Sequence, residues 1–160
     1  MTQKEFGHIV DEYANRLCRF ADKLLVNKDQ AKDVTQETFT KLWERRNNID
    51  VSKLKSWLFA VTYNECMGLL RNQKCMVYGH DFENNYHHAP ESSDLKSVLK
   101  TSLEMLSDVQ KSILLLKDYE GYNYEEIGNI LSLSESQVKV YLFRARQKMK
   151  DYLKDIDLVI

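Results

Sequence analysis

The sequence predicts an all-α fold: two small helical domains joined by a flexible linker, the C-terminal one a helix-turn-helix. Three observations lead there. Wherever apolar residues form a pattern they recur every three or four positions, as on one face of a helix, and no run alternates with period two. Two helix-start signatures lie eleven residues apart near the C-terminal end, at Asn123 and Ser134. Between the patterned halves lies a segment of loop composition, from Tyr78 to Asp94, holding Gly79, Pro90, Asn84-Asn85, His87-His88 and Ser92-Ser93. These features divide the chain into residues 1–76, a linker over 77–95 and residues 96–160.

In chain order, Phe6, Ile9, Val10, Tyr13, Leu17, Phe20 and Leu24 make the apolar stripe of a first helix. A second begins at Asp29 or a neighbour and carries Ala31, Val34, Phe39, Leu42 and Trp43 on one side. Asn47 to Asp50 is a break. Ser52 is placed to cap a third helix bearing Leu54, Trp57, Leu58, Val61, Leu69 and Leu70, whose pattern fades from about Asn72. That spacing puts Trp57 in the core. Helices resume near Leu95. Ser107 with Gln110 forms a capping box opening a helix through Ile113, Leu114 and Leu116, and Gly121 ends it.

Asn123 with Glu126, and Ser134 with Gln137, are two further capping boxes, so helices start at Tyr124 and Glu135. Only Ser132 and Leu133 separate them, which forces a tight turn; helix-turn-helix proteins often have Gly where Ser132 stands, and a left-handed conformation there would strain Ser. Gly128 is mid-helix, where Gly costs about 1 kcal/mol against Ala, an expense explained by a second helix crossing close by. On the last helix Val138, Tyr141, Leu142, Ala145 and Met149 fall inward, while Ser136, Lys139, Phe143, Arg144, Arg146 and Lys150 fall outward. Cations for phosphates and guanine edges, with an apolar edge for thymine methyls, suit a recognition helix in a major groove. An amphipathic helix with a solvated charged face shares that pattern; the tight turn and paired caps favour the recognition helix.

The net charge of −1 excludes a bulk polycation, but its distribution is uneven: +3 over residues 1–76, −4 over 77–95, −2 over 96–133 and +2 over 134–160. Two mildly basic ends fit two separate nucleic-acid contacts. No apolar run has signal-peptide or membrane-helix length, so the chain is expected to be soluble and cytoplasmic, with no membrane insertion. Cys18, Cys66 and Cys75 are an odd set without Cys-x-x-Cys spacing, which argues against a disulfide framework. No Gly-rich phosphate loop or nucleophile motif points to an enzyme, and no cofactor is implied.

Three segments together resemble the extracytoplasmic-function (ECF) sigma factors of bacterial RNA polymerase. DQAKDVTQETFTKLW (Asp29–Trp43) is similar to the family's core-binding helix, WLFAVTYNECMGLLR (Trp57–Arg71) to its promoter-melting helix, and Leu106–Met149 to its minus-35-binding domain. The resemblance covers nearly the full length in family order. It implies that the chain binds core polymerase and directs initiation at promoters, with residues 1–76 as sigma region 2 and 96–160 as region 4. It implies contacts with the largest-subunit coiled coil through Asp33, Gln36, Glu37 and Thr40, and with the polymerase flap. Asn48, Asp50, Ser52, Lys53, Lys55, Asn64 and Arg71 would meet the minus-10 element, where a flipped base is held by the loop and by Asn64. Ser136, Lys139, Phe143, Arg144, Arg146 and Lys150 would meet the minus-35 element. An anti-sigma protein is a common partner in the family. Gly68 departs from the family's frequent Asp, and Ser56-Trp57 from the tryptophan pair of primary sigma factors.

Two rival readings follow from the residues. A dimeric helix-turn-helix repressor would use the same C-terminal motif but gives no reason for the first two segments. A metal-binding protein would use Cys75, His80, His87 and His88, whose spacing matches no familiar zinc finger.

Overall fold

The computed structural model describes residues 1–76 and 95–157; the side chains of residues 75, 76 and 157 are outside the description, as are His80, His87 and His88. The expected flexible linker therefore falls outside the described residues, apart from Leu95, which begins a helix. The described residues are helical, with no strand among them, and form two compact units, the first chiefly residues 1–76 and the second chiefly 95–128 and 133–157.

The first unit has three long helices, α1 (Gln3–Leu25), α2 (Lys28–Glu44) and α3 (Leu54–Met76). A capping box starts α1: the Thr2 hydroxyl accepts from the Glu5 amide at 3.2 Å and the Glu5 carboxylate from the Thr2 amide at 2.8 Å. Val26 ends α1 with φ 52°, a left-handed conformation that a β-branched residue rarely adopts. Asn27 caps α2, its Oδ1 accepting from the Gln30 amide at 3.0 Å. Leu17, Phe20 and Leu24 of α1, Val34 and Leu42 of α2, and Leu58, Phe59 and Cys66 of α3 form the core. Phe20 and Phe59 meet edge to face at 5.5 Å. Across α2 and α3, the Thr38 and Thr62 hydroxyls bond at 3.1 Å, Lys41 pairs with Glu65, and the Gln73 amide donates to Gln30 at 3.0 Å. These bonds satisfy polar groups inside an otherwise apolar seam.

The third helix buries Leu54 and Leu58 as expected but otherwise turns a different face inward. Phe59, Thr62 and Cys66 are fully buried, whereas Trp57, Val61, Leu69 and Leu70 are half-exposed. Apolar residues nearly encircle α3 between Trp57 and Val61, so spacing alone could not select its inward side. The helix also continues to Met76, past Asn72.

The second unit contains α4 (Leu95–Glu104), α5 (Asp108–Leu114), most of α6 (Tyr124–Leu131) and α7 (Glu135–Asp157). Ser107 and Gln110 cap α5 reciprocally, each bond 3.2 Å long. The end of α5 widens into one π-helical turn, Leu115–Tyr119. Gly121, at φ 75°, then lets the chain reverse, with the Tyr122 amide donating to the Leu116 carbonyl at 3.0 Å. Leu103, Ile113, Leu116, Ile127, Val138, Leu142 and Ala145 are buried.

Candidate nucleic-acid and polymerase interface

Both C-terminal capping boxes form. Asn123 and Glu126 exchange bonds of 2.8 and 2.9 Å at the start of α6, and Ser134 and Gln137 exchange bonds of 3.2 and 2.9 Å at the start of α7. Between them Ser132 takes φ 58°, the strained left-handed conformation at the position where such turns often have Gly. The tightest approach at Gly128 comes from the turn, and the second helix also comes close, with Val138 Cγ2 3.9 Å from a Cβ placed there. A Cβ on Gly128 would lie 2.6 Å from the Leu133 carbonyl oxygen, and the Leu133 amide donates back to the Gly128 carbonyl at 2.9 Å. Two caps and one absent side chain thus set how α7 leaves α6.

On α7, Val138, Leu142 and Ala145 are buried, with Tyr141 and Met149 half-buried beside them. Ser136, Lys139, Phe143, Arg144, Arg146 and Lys150 are all exposed, and Phe143 keeps 69% of its surface open. Arg146 is held from the side, its guanidinium donating to Asp118 of the π-helical turn at 2.7 Å. Lys139 lies over the Tyr124 ring, 5.3 Å from its centre.

In the first unit, Asp33, Gln36, Glu37 and Thr40 are exposed together on α2, while Val34, Thr35, Thr38 and Phe39 are buried. Positions spaced three, four and seven apart form one continuous stripe. The Thr40 hydroxyl donates to the Gln36 carbonyl at 2.9 Å, so the stripe's polar reach comes from its two carboxylates and one amide.

The segment between α2 and α3 encloses a pocket of about 520 Å³ lined by Arg45, Asn48, Ile49, Asp50, Lys53 and Trp57. Asp50, rather than Ser52, makes the cap here. Its Oδ1 accepts from the Ser52 amide at 3.0 Å and the Ser52 hydroxyl at 2.8 Å, opening a 3₁₀ turn, Val51–Lys53, that runs into α3. The same bonds from Ser52, its hydroxyl first, hold the Asp50 carboxyl below the usual carboxylate range. Ser52 is therefore occupied with Asp50, and Lys55 is half-buried and does not line the pocket. Asn64 and Arg71 are exposed on α3, seven and fourteen residues beyond Trp57 and so on the same side of the helix. Trp57, expected in the core, forms a wall of the pocket. Arg45 was not singled out from the sequence; the Arg45-Arg46 pair just before the Asn47-Asn48 break was the available signal.

The two units match two domains of one family. The description "Sigma-70 region 2" fits residues 9–75 and "Sigma-70, region 4" fits residues 97–149. The chain is 32% identical over 148 residues to the ECF RNA polymerase sigma factor SigM of Bacillus subtilis, covering 89% of this chain and 91% of that protein. Its fold superposes on the sigma factor RpoE of Bartonella quintana, solved with the anti-sigma factor NepR, with TM-score 0.80 and 28% identity, covering 94% of this chain and 98% of that one. CnrH, solved with the cytosolic domain of CnrY, shares the fold at TM-score 0.74 and 22% identity, over 96% and 90% of the two chains. The chain belongs to the sigma-70 family, as an ECF sigma factor: it binds core RNA polymerase and directs transcription initiation at specific promoters. Two sigma regions in family order leave the dimeric-repressor reading without support. Among the described residues no helix is long and apolar enough to cross a membrane, and no cluster of metal-ligating side chains occurs.

Proposed function

We propose that the two units divide promoter recognition between them. The region 2 unit docks on the polymerase largest subunit through Asp33, Gln36, Glu37 and Thr40, whose carboxylates suit a basic coiled-coil tip. Its pocket holds a base drawn out of the minus-10 duplex. Asn48, Asp50 and Lys53 offer hydrogen-bond partners to a base edge, and the Trp57 ring offers a stacking wall. Asn64 and Arg71 extend the track along α3, with Ser52 fixing the loop and Lys55 flanking it. The region 4 unit reads the minus-35 element through α7. The cytoplasm, where polymerase and DNA are found, is its place of action. An anti-sigma protein covering these faces is a further partner, in keeping with the complexes in which RpoE and CnrH were solved.

The observation that carries this reading is the exposed face of α7. A phenylalanine with 69% of its surface open stands among Lys139, Arg144, Arg146 and Lys150, immediately after a rigidly capped turn. Such a ring gains by meeting thymine methyls, and Arg144 can grip a guanine edge with two bonds, worth ~1–3 kcal/mol of discrimination. Selection of promoter duplexes by holoenzyme carrying Arg144→Ala is expected to relax base preference at one or two minus-35 positions. Lys150→Ala is expected to weaken all sequences about equally, and minus-10 preference should survive both. Intact minus-35 selectivity in Arg144→Ala, or altered minus-10 selectivity, would remove α7 from this role.

A further inference from the structure

Gly68 lies well inside α3, yet no neighbouring segment requires it. A Cβ placed there meets nothing within 4 Å, so packing leaves room for a side chain. In a helix interior Gly is less favourable than Ala, and here no close approach within the chain offsets that cost. Gly7 in α1 is equally open, so openness alone marks nothing. Gly68 differs in the residues beside it. At about 3.6 residues per turn, Trp57, Val61, Asn64, Gly68 and Arg71 fall on one stripe of α3. Trp57 forms a wall of the pocket that follows α2, and Asn64 and Arg71 are exposed. Gly68 stands between the last two, one turn from each. The stripe carries no acid. The one carboxylate of α3, Glu65, pairs with Lys41 of α2. The residues one turn from Arg71 are Met67, Gly68, Lys74 and Cys75, so no carboxylate along the helix neutralises its guanidinium.

We infer that Gly68 is a seat for the opened promoter strand: its missing side chain lets a nucleotide lie against the backbone of α3, with Asn64 toward the base and Arg71 toward the phosphate. This rests on the reading of α3 as the track of the minus-10 element, because that reading brings a single strand from the Trp57 pocket along the stripe. Gly is the residue that lets another group come close to a backbone. A side chain at this position would stand where the nucleotide lies. Asn64 offers both a donor and an acceptor to a base edge, and Arg71 a fork of donors to a phosphate. The cost of Gly in mid-helix is then offset in the complex, where the free chain shows only an empty space.

Stability and binding should move in opposite directions at this position, which they would not do at a glycine that is merely tolerated. The test uses holoenzyme reconstituted with the full chain or its variants. One probe is a single-stranded oligonucleotide carrying the minus-10 sequence that wild-type holoenzyme selects from a random pool. The other is a duplex carrying only the minus-35 sequence selected in the same way. Gly68→Ala is expected to raise the melting transition of the first unit, followed by tryptophan fluorescence, while weakening oligonucleotide binding about tenfold, as one methyl group forced into a packed contact would. Gly68→Gln, longer and also a good helix former, should weaken it further. Both variants should bind the minus-35 duplex as wild type does. Unchanged oligonucleotide binding in both would overturn the inference, and so would an equal loss on the two probes. Asn64→Ala is measured in parallel. If it weakens oligonucleotide binding while the Gly68 variants do not, only the seat fails. If it also binds as wild type does, the placement of the minus-10 strand on α3 fails as well.

Discussion

Alanine substitution at two mid-helix glycines, Gly68 in α3 and Gly128 in α6, should have opposite effects. In a helix interior Gly is about 1 kcal/mol less favourable than Ala. A Cβ at Gly68 meets nothing within 4 Å, so Gly68→Ala should realise that gain. A Cβ at Gly128 would stand 2.6 Å from the Leu133 carbonyl oxygen, a backbone atom fixed by the 2.9 Å bond from the Leu133 amide to the Gly128 carbonyl. Relief requires the turn to open. Overpacking costs about 1–3 kcal/mol, and losing the turn bond about 1 kcal/mol more. After the helix-propensity gain, Gly128→Ala should destabilise the second unit by roughly 1–3 kcal/mol, or about 4–8 °C of melting temperature per kcal/mol for a unit of this size. Both tryptophans, Trp43 and Trp57, belong to the first unit, so tryptophan fluorescence follows that unit while far-ultraviolet dichroism follows both. Gly68→Ala should raise the fluorescence transition. Gly128→Ala should leave it unmoved, lower the remaining dichroism transition and weaken minus-35 binding by reorienting α7. A Gly128→Ala chain as stable as wild type, with binding intact, would refute the close approach.

The other predictions use the same assays. Val26 holds φ 52° with its side chain 55% exposed, and Ser132 holds φ 58°; changing either to Gly should stabilise its own unit by about 1 kcal/mol, read as a raised transition for that unit alone. Reversing Asp33 and Glu37 to Lys should weaken the complex with core polymerase while melting is unchanged, and unaltered affinity would remove that face from docking. Burial, with a smaller contribution from Glu65, pushes the Cys66 thiol up to about 12. The folded state therefore keeps its proton where the unfolded thiol, near 8.5, has lost it. That contribution is full below about pH 8.5 and is lost as pH rises toward 12. Denaturant titrations from pH 8 to 11 should show wild type losing stability faster than Cys66→Ala, and parallel curves would refute the burial.

The sequence by itself determined the local structure. Reciprocal caps at Ser107, Asn123 and Ser134 are bonds between residues three apart, so their spelling suffices to start a helix. The inward and outward sides of α7 were legible because its apolar and charged residues separate cleanly by angle. The exposed carboxylate stripe of α2 was legible for the same reason.

Other features became visible only in the folded structure. The buried side of α3 was decided by Phe20 meeting Phe59 and Thr38 meeting Thr62, contacts between helices that no spacing within a nearly all-apolar helix encodes. Asp50 displaced Ser52 as the cap because a carboxylate two residues upstream can accept from both the amide and the hydroxyl of Ser52. Trp57 became a pocket wall once the loop from Arg45 to Asp50 folded beside it. Lys117 and Lys139, on different elements, both lie over the Tyr124 ring, which spacing within one helix does not encode. Periodicity records which residues share a face of one helix. The neighbour a face meets is set by packing between segments, and that is why the nearly all-apolar α3 needed its partners to choose a buried side.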